Sequence, residues 1–301
     1  MTNLIDELRS GTILVADGAM GTMLMERGLK QGEPPELFNL TRTHILEEIA
    51  RLYLDAGADI IQTNTFGASP LKLSSYSLGN RVEEINRNAV LAVRKVVEDH
   101  AYISGSCGPT GRFLKPYGDI ESEEMYNAFE KQIDTLISSG VDIICIETMI
   151  DLREATLAIK AAKTISPSTP VIATMTFDHT PKGFYTIMGV STEAAVKGLD
   201  KAGADIIGSN CGNGIENMIK IAQEYKNYSR LPLIIQSNAG IPAVKGDKAV
   251  YPETSEFMAE KAKELIRIGV AIIGGCCGTT PEHISAIRKV VDAFGKKTSS
   301  L

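Results

Sequence analysis

The sequence predicts a single α/β domain folded as a (β/α)8 TIM barrel, and three observations predict it. The length of 301 residues suits one large barrel of ~250 residues with short extensions. Four segments resemble one another, GADIIQTN at Gly57, GVDIICIET at Gly140, GADIIGSNC at Gly203 and GVAIIGGCC at Gly269. Their offsets of 83, 63 and 66 residues are each about twice the ~30 residues of one strand-plus-helix unit. Between them lie further short apolar, β-branched runs closed by Gly, Pro, Asn or Asp: ILVAD at Ile13, YISGSC at Tyr102, PVIATMTF at Pro170 and PLIIQSN at Pro232.

Taken in order, these eight strands alternate with helix-period segments. Residues 43–56 place Ile45, Ile49, Leu52, Tyr53 and Ala56 on one stripe, and 81–98 do the same with Val82, Ile85, Ala89, Val93 and Val96. A third helix, 192–202, takes Thr192 as its N-cap. Gly57, Gly140, Gly203 and Gly269 each precede an even-numbered strand, where the end of a helix requires a left-handed residue. Strands that are almost wholly apolar indicate a parallel sheet covered by helices. The even spacing favours closure into a barrel over an open doubly wound sheet, which needs an edge and a switch point. The barrel is expected over 1–295, with a polar tail at 296–301.

Composition narrows the partners. With 31 basic against 37 acidic residues the net charge is -6, and no Lys/Arg-rich run offers a surface for nucleic acid. No stretch reaches the ~20 apolar residues of a membrane span, and the start MTNLIDELRS lacks the basic-then-apolar run of a signal peptide, so a cytoplasmic protein is expected. Five cysteines are an odd count for a disulfide framework, and attention turns to metal binding or catalysis.

Barrel active sites lie at the C-terminal ends of the strands. Four of the five cysteines fall at such ends: Cys107, Cys211, Cys276 and Cys277. Cys211 closes the sixth strand and Cys276-Cys277 the eighth, near neighbours in a ring of eight. Three converging thiolates suit Zn2+ and leave a fourth, catalytic position open. The competing reading is that these cysteines are small buried hydrophobes, and that reading is preferred for Cys145 inside IICIE. His44, His100, His179 and His283 read as exposed or satisfied residues, and no rim serine has a base for triad chemistry. Asp17 and Glu147 are strand-end carboxylates whose burial calls for a cationic partner such as a ligand ammonium, with loop capping as the alternative. The turn Asp17-Gly18-Ala19-Met20-Gly21-Thr22 offers backbone N–H groups to a carboxylate.

DGAMGT (17–22), GADIIQTNTFGAS (57–69), GPTG (108–111), IETM (146–149), NCG (210–212), NAG (238–240) and GGCCGTTPEHI (274–284) together resemble the homocysteine S-methyltransferase family. The resemblance is nearest to the homocysteine-binding barrel of cobalamin-dependent methionine synthases. It implies zinc on Cys211, Cys276 and Cys277, the homocysteine amino group on Asp17 and Glu147, and its carboxylate on backbone around Gly18, Ala19 and Met20. It also implies that Asn64 and Asn210 line the pocket. A thiol of pKa ~8.5 is mostly protonated at neutral pH, so zinc would supply the reactive thiolate.

In those synthases a folate barrel and a cobalamin module follow, and eight βα units leave room for neither in 301 residues. The corrinoid signature D-x-H-x-x-G is also missing, since His179 in Asp178-His179-Thr180-Pro181-Lys182-Gly183 comes one position early. The expectation is a zinc-dependent thiol S-methyltransferase that takes a methyl group from methylcobalamin or another methylcorrinoid on a separate protein and gives methionine. The alternatives are a small donor, S-methylmethionine or betaine, a non-catalytic thiol-binding subunit, and an acid–base lyase or aldolase on the same barrel. A cationic donor wants an aromatic cage, and the rim of this chain without Trp offers little beyond Phe66, Phe113 and Phe177 to build one.

Overall fold

The computed structural model describes residues 3–245 and 248–298. Eight parallel strands form one sheet: β1 Leu14–Val15, β2 Ile60–Gln62, β3 Tyr102–Cys107, β4 Ile143–Met149, β5 Val171–Met175, β6 Ile206–Asn210, β7 Leu233–Ser237 and β8 Ile272–Gly275. Their order runs β1-β8-β7-β6-β5-β4-β3-β2, and a parallel bridge between Ala16 and Ile60 joins β1 to β2. That bridge closes the ring and removes the open doubly wound alternative. Helices predicted from apolar stripes stand at Thr43–Asp55 and Val82–Val97, with Ile49, Tyr53, Ile85, Ala89 and Val93 buried.

Side chains alternate across each strand, so every second residue faces into the barrel. Leu14, Ile60, Tyr102, Ile143, Ile172, Ile206, Ile234 and Ile272 form an inner cluster, which Leu4 and Leu8 of a short helix, Leu4–Arg9, join. One step further along the same inward series the residues turn small or polar, as at Gln62, Ser104, Thr174, Gly208 and Gln236. The opposite faces, including Ile61, Ile103, Ile144, Ile207 and Ile273, pack beneath the helices in the larger core. The barrel is therefore apolar at its floor and polar toward the C-terminal rim.

The repeats have a physical basis. Gly57, Gly140, Gly203 and Gly269 all take positive φ, between 89° and 99°, which only glycine adopts without strain. Two residues on, Asp59, Asp142 and Asp205 each accept the backbone N–H of the preceding strand, from Val15 at 2.8 Å, Ile103 at 2.8 Å and Val171 at 2.7 Å. Each also meets a cation from a helix, Arg288, Arg94 and Lys163 respectively. The fourth repeat has Ala271 there and lacks the staple. Asp205→Ala should leave the Val171 N–H without its acceptor and cost about 1–3 kcal/mol, read as a lower denaturant midpoint in urea. An unchanged midpoint would remove the staple from the account.

Three details differ from expectation. The N-cap of helix Thr192–Ala202 is Ser191, whose Oγ accepts from Ala194 N at 3.2 Å, while the Thr192 hydroxyl donates to Glu224. Two antiparallel hairpins, Asp178–Thr180 with Gly183–Tyr185 and Ala243–Lys245 with Lys248–Val250, decorate the rim loops. The final helix, Pro281–Thr298, runs into the expected tail, and residues 299–301 lie outside the described residues. Among the described residues no helix is long and apolar enough to cross a membrane.

Candidate active site

The chain turns sharply where β6 ends. Cys211 sits at φ 60° and Gly212 at 73°, a left-handed pair that costs a non-glycine residue about 1–2 kcal/mol. Backbone bonds from Cys211 N to Gln236 O at 3.1 Å and from Asn213 N to Cys211 O at 2.8 Å hold it. Such retained strain is a mark of a functional position. After β8, Cys276 N donates to Ser237 O at 2.8 Å, Ala239 N donates to Cys277 O at 3.0 Å, and Thr279 Oγ1 donates to Cys276 O at 2.7 Å. The cysteine pair is thus fastened to β7, the strand between the two cysteine-bearing ends.

These turns bring the three sulfurs within 4.8 Å of one another, with Cys211 Sγ and Cys277 Sγ 3.7 Å apart. A tetrahedral zinc with ~2.3 Å bonds to sulfur needs a sulfur–sulfur edge of about 3.8 Å, so the donor set fits that ion. Asn238, just beyond β7, leaves its buried Oδ1 without a hydrogen-bond partner. Hydrogen bonds from the Cys211 and Cys276 thiols pull Cys277 down to about 3, while the same contacts push Cys276 well up.

Beside the sulfurs lie two buried carboxylates. Burial pushes Asp17 up to about 8, against the opposing hydrogen bond from Gln62 N at 2.8 Å and with a further push from the charge of Glu147. Glu147 is pushed up to about 7, again by burial, although the Ser106 hydroxyl donates to its Oε1 and Asn210 Nδ2 to its Oε2 at 3.2 Å. Among the described residues neither carboxylate forms an ion pair with Lys or Arg. Among the described residues the pair is a buried acidic site without a cationic partner, which burial makes costly to ionise.

Asn210 links the two halves. Its Nδ2 also reaches Thr148 Oγ1 at 2.8 Å and Cys276 Sγ at 4.0 Å, and its Oδ1 accepts from Thr148 N at 2.8 Å and Thr174 Oγ1 at 2.7 Å. Thr148 takes φ 59° where the β4–β5 register shifts, and this irregularity re-aims the residues at the end of β4. Gly18 admits no side chain, since a Cβ there would fall 2.7 Å from Thr279 Oγ1 and 2.8 Å from the Tyr53 hydroxyl. Ala19 precedes helix Met20–Glu26 and provides no side-chain cap.

Asn64 is bound into the scaffold, its Nδ2 donating to Pro35 O at 2.8 Å and Asn39 Oδ1 at 2.7 Å. Cys107 is wholly buried in the helix-facing core, and Cys145 lies inside the barrel near Gln62, 3.7 Å from its Nε2. Sequence reading passed over Gln62 and Ser106. Their signal was a polar residue at an inward position of an apolar strand. It also passed over Tyr251, whose ring lies against Gly278 from a long loop and left no local signal.

A model of the homocysteine S-methyltransferase family matches residues 14–291. The chain belongs to that family. Within it, the chain is 31% identical to a methionine synthase of Mycobacterium leprae and 32% identical to one of Mycobacterium tuberculosis, each over 309 aligned positions and 96% of the chain. It spans about a quarter of the length of those relatives, 25% in both cases. The metallated crystal structure of the homocysteine methyltransferase MmuM from Escherichia coli superposes with a TM-score of 0.80 at 22% identity, covering 96% of this chain and 99% of that one. That likeness supports the barrel fold.

Proposed function

We propose that this barrel is a zinc-dependent S-methyltransferase that methylates homocysteine to methionine, with a methylcorrinoid carried outside the barrel as donor. The observation that carries the reading is the contact, through Asn210, between a three-thiol cluster and a pair of buried carboxylates without a cation. A thiol amino acid has the two matching groups, a sulfur and an ammonium.

Asp17 and Glu147 bind the ammonium, and the backbone of Gly18, Ala19 and Met20 receives the α-carboxylate, where the side-chain-free Gly18 allows close approach. Ser106 and Asn210 fix the Glu147 carboxylate by hydrogen bonds. Cys211, Cys276 and Cys277 hold the metal, and Asn210 keeps their edge of the site in register with Glu147. Bound zinc supplies the positive charge that keeps the substrate thiol deprotonated at neutral pH. The substrate sulfur then forms a bond to the donor methyl carbon as the bond from methyl to donor breaks, both electrons leaving with the donor.

The donor assignment rests on the similarity to methionine synthases and on the aromatic side chains of the rim. Phe177 is fully buried and packs edge-on against Tyr225 at 6.0 Å, so it is unavailable to a cation cage. The test is a spectroscopic demethylation assay with methylcobalamin, run beside S-methylmethionine and betaine with zinc-loaded protein. Methionine with demethylated corrinoid is the expected product pair. Turnover with a small donor and none with methylcobalamin would overturn the donor, and homocysteine binding without turnover on any donor would favour a binding subunit.

A further inference from the structure

Three threonines converge on Asn210, the side chain that joins Glu147 to the cysteine turns. β5 lies between β4 and β6 in the sheet, so its inward residues stand between the ends of those two strands. Thr174, wholly buried on β5, donates its hydroxyl to Asn210 Oδ1 at 2.7 Å, and the Thr176 hydroxyl donates to Asn210 O at 2.8 Å. From the β4 side, Thr148 meets the same amide twice. Its backbone N–H donates to Oδ1 at 2.8 Å, and its hydroxyl accepts from Nδ2 at 2.8 Å. The double contact occurs where the β4–β5 register shifts and Thr148 takes φ 59°, an outlier for a branched side chain. Strain is thus retained at a residue that serves Asn210 rather than the ladder.

A backbone N–H can only donate, so the atom facing Thr148 N is the amide oxygen. With the Thr174 hydroxyl also on Oδ1, both of its lone pairs are used, and Nδ2 is left facing the Glu147 carboxylate, 3.2 Å from Oε2. The Ser106 hydroxyl donates to the other oxygen, Oε1. Glu147 therefore receives one donor on each oxygen from the scaffold and keeps its remaining lone pairs for a ligand. A turned amide would set Oδ1 against Oε2, acceptor against acceptor.

We propose that Thr174 and Thr148 are positioning residues for ammonium recognition: together they fix the face that Asn210 presents to Glu147, and so confine the site to thiols that carry a primary ammonium. The proposal rests on the reading that Asp17 and Glu147 receive the ammonium of a thiol amino acid. Both threonines act through Asn210, without touching the substrate. A buried carboxylate held in one orientation rejects an analogue that leaves it unpaired, and the rejection weakens once the carboxylate is free to turn.

The test measures calorimetric affinities of the zinc-loaded protein for homocysteine and for γ-mercaptobutyrate, which is homocysteine without its amino group. Wild type is expected to prefer homocysteine. Thr174→Val keeps the branched shape and deletes the hydroxyl, and it should cut that preference about 5-fold, the size of one lost hydrogen bond, with the affinity for γ-mercaptobutyrate unchanged. Thr148→Val, which keeps the backbone N–H and the branch, should move the preference in the same direction and serves as the second variant if the first does not fold. Thr174→Ser restores the hydroxyl and should restore the wild-type ratio. An unmoved ratio in Thr174→Val overturns the proposal. Equal weakening of both thiols also overturns it, since that would assign Thr174 a packing role alone, and so does a lowered ratio in Thr174→Ser. A wild type that binds the two thiols alike would instead remove the ammonium from Asp17 and Glu147, a failure of the underlying reading that the variants do not mimic.

Discussion

Cys211→Ala is expected to lose zinc and methyl transfer together, the largest effect of any single change in this barrel. The other two sulfurs of the proposed ligand set sit on adjacent residues of one turn, and among the described residues Cys211 is the member of that set across β7. Removing it leaves two ligands on one side of an ion that wants a tetrahedral shell. It also removes a thiol that hydrogen-bonds Cys277. The left-handed backbone at Cys211, with φ 60°, tolerates alanine no worse than cysteine, so the fold should survive. Metal analysis of purified protein and homocysteine methylation are the two readouts. Stoichiometric zinc retained in Cys211→Ala would reject the site, whereas Cys145→Ala, inside the barrel, should keep both metal and activity.

The barrel was legible because its strands and helix ends obey local rules. Gly-x-Asp before an apolar run encodes a left-handed helix exit followed by a backbone-capping carboxylate, and it recurs at Gly57, Gly140 and Gly203. The strand ends then place Asp17, Glu147, Asn210 and the cysteines on one rim whatever the details of packing. Less legible were features made by tertiary contact. Gln62 matters because its backbone N–H meets Asp17, Ser106 because an inward strand position brings it to Glu147, and Tyr251 because a loop with its own hairpin doubles back onto Gly278. Asn64, placed at the pocket by its motif, also has its Nδ2 bonded to Pro35 and Asn39, a tertiary contact that no local rule announces.

Glu147→Gln is expected to weaken homocysteine binding by about 2–5 kcal/mol while zinc stays bound, because the variant removes one charge from a buried ammonium site. The amide keeps the volume and can still accept from Ser106, but it sets a second donor against Asn210 Nδ2, which now donates to the carboxylate at 3.2 Å. The pH dependence follows from the raised values, about 8 for Asp17 and about 7 for Glu147. For an acid whose folded value exceeds its unfolded one, the native state binds the extra proton. The stability that this contributes is complete below the ordinary carboxylate range and is lost as pH rises through about 7 to 8. Substrate-free protein should therefore lose thermal stability from pH 5 to 8.5, roughly the window those two groups span. A bound ammonium favours the ionised carboxylates, so homocysteine should stabilise the protein more at about pH 8 than at about pH 6. Glu147→Gln should flatten that difference, leaving only the part due to Asp17. Thermal melts with and without homocysteine at both pH values, with zinc content measured alongside, check each step. Equal ligand stabilisation in wild type and variant would remove the ammonium from Glu147, and loss of zinc would recast that carboxylate as a support for the metal cluster.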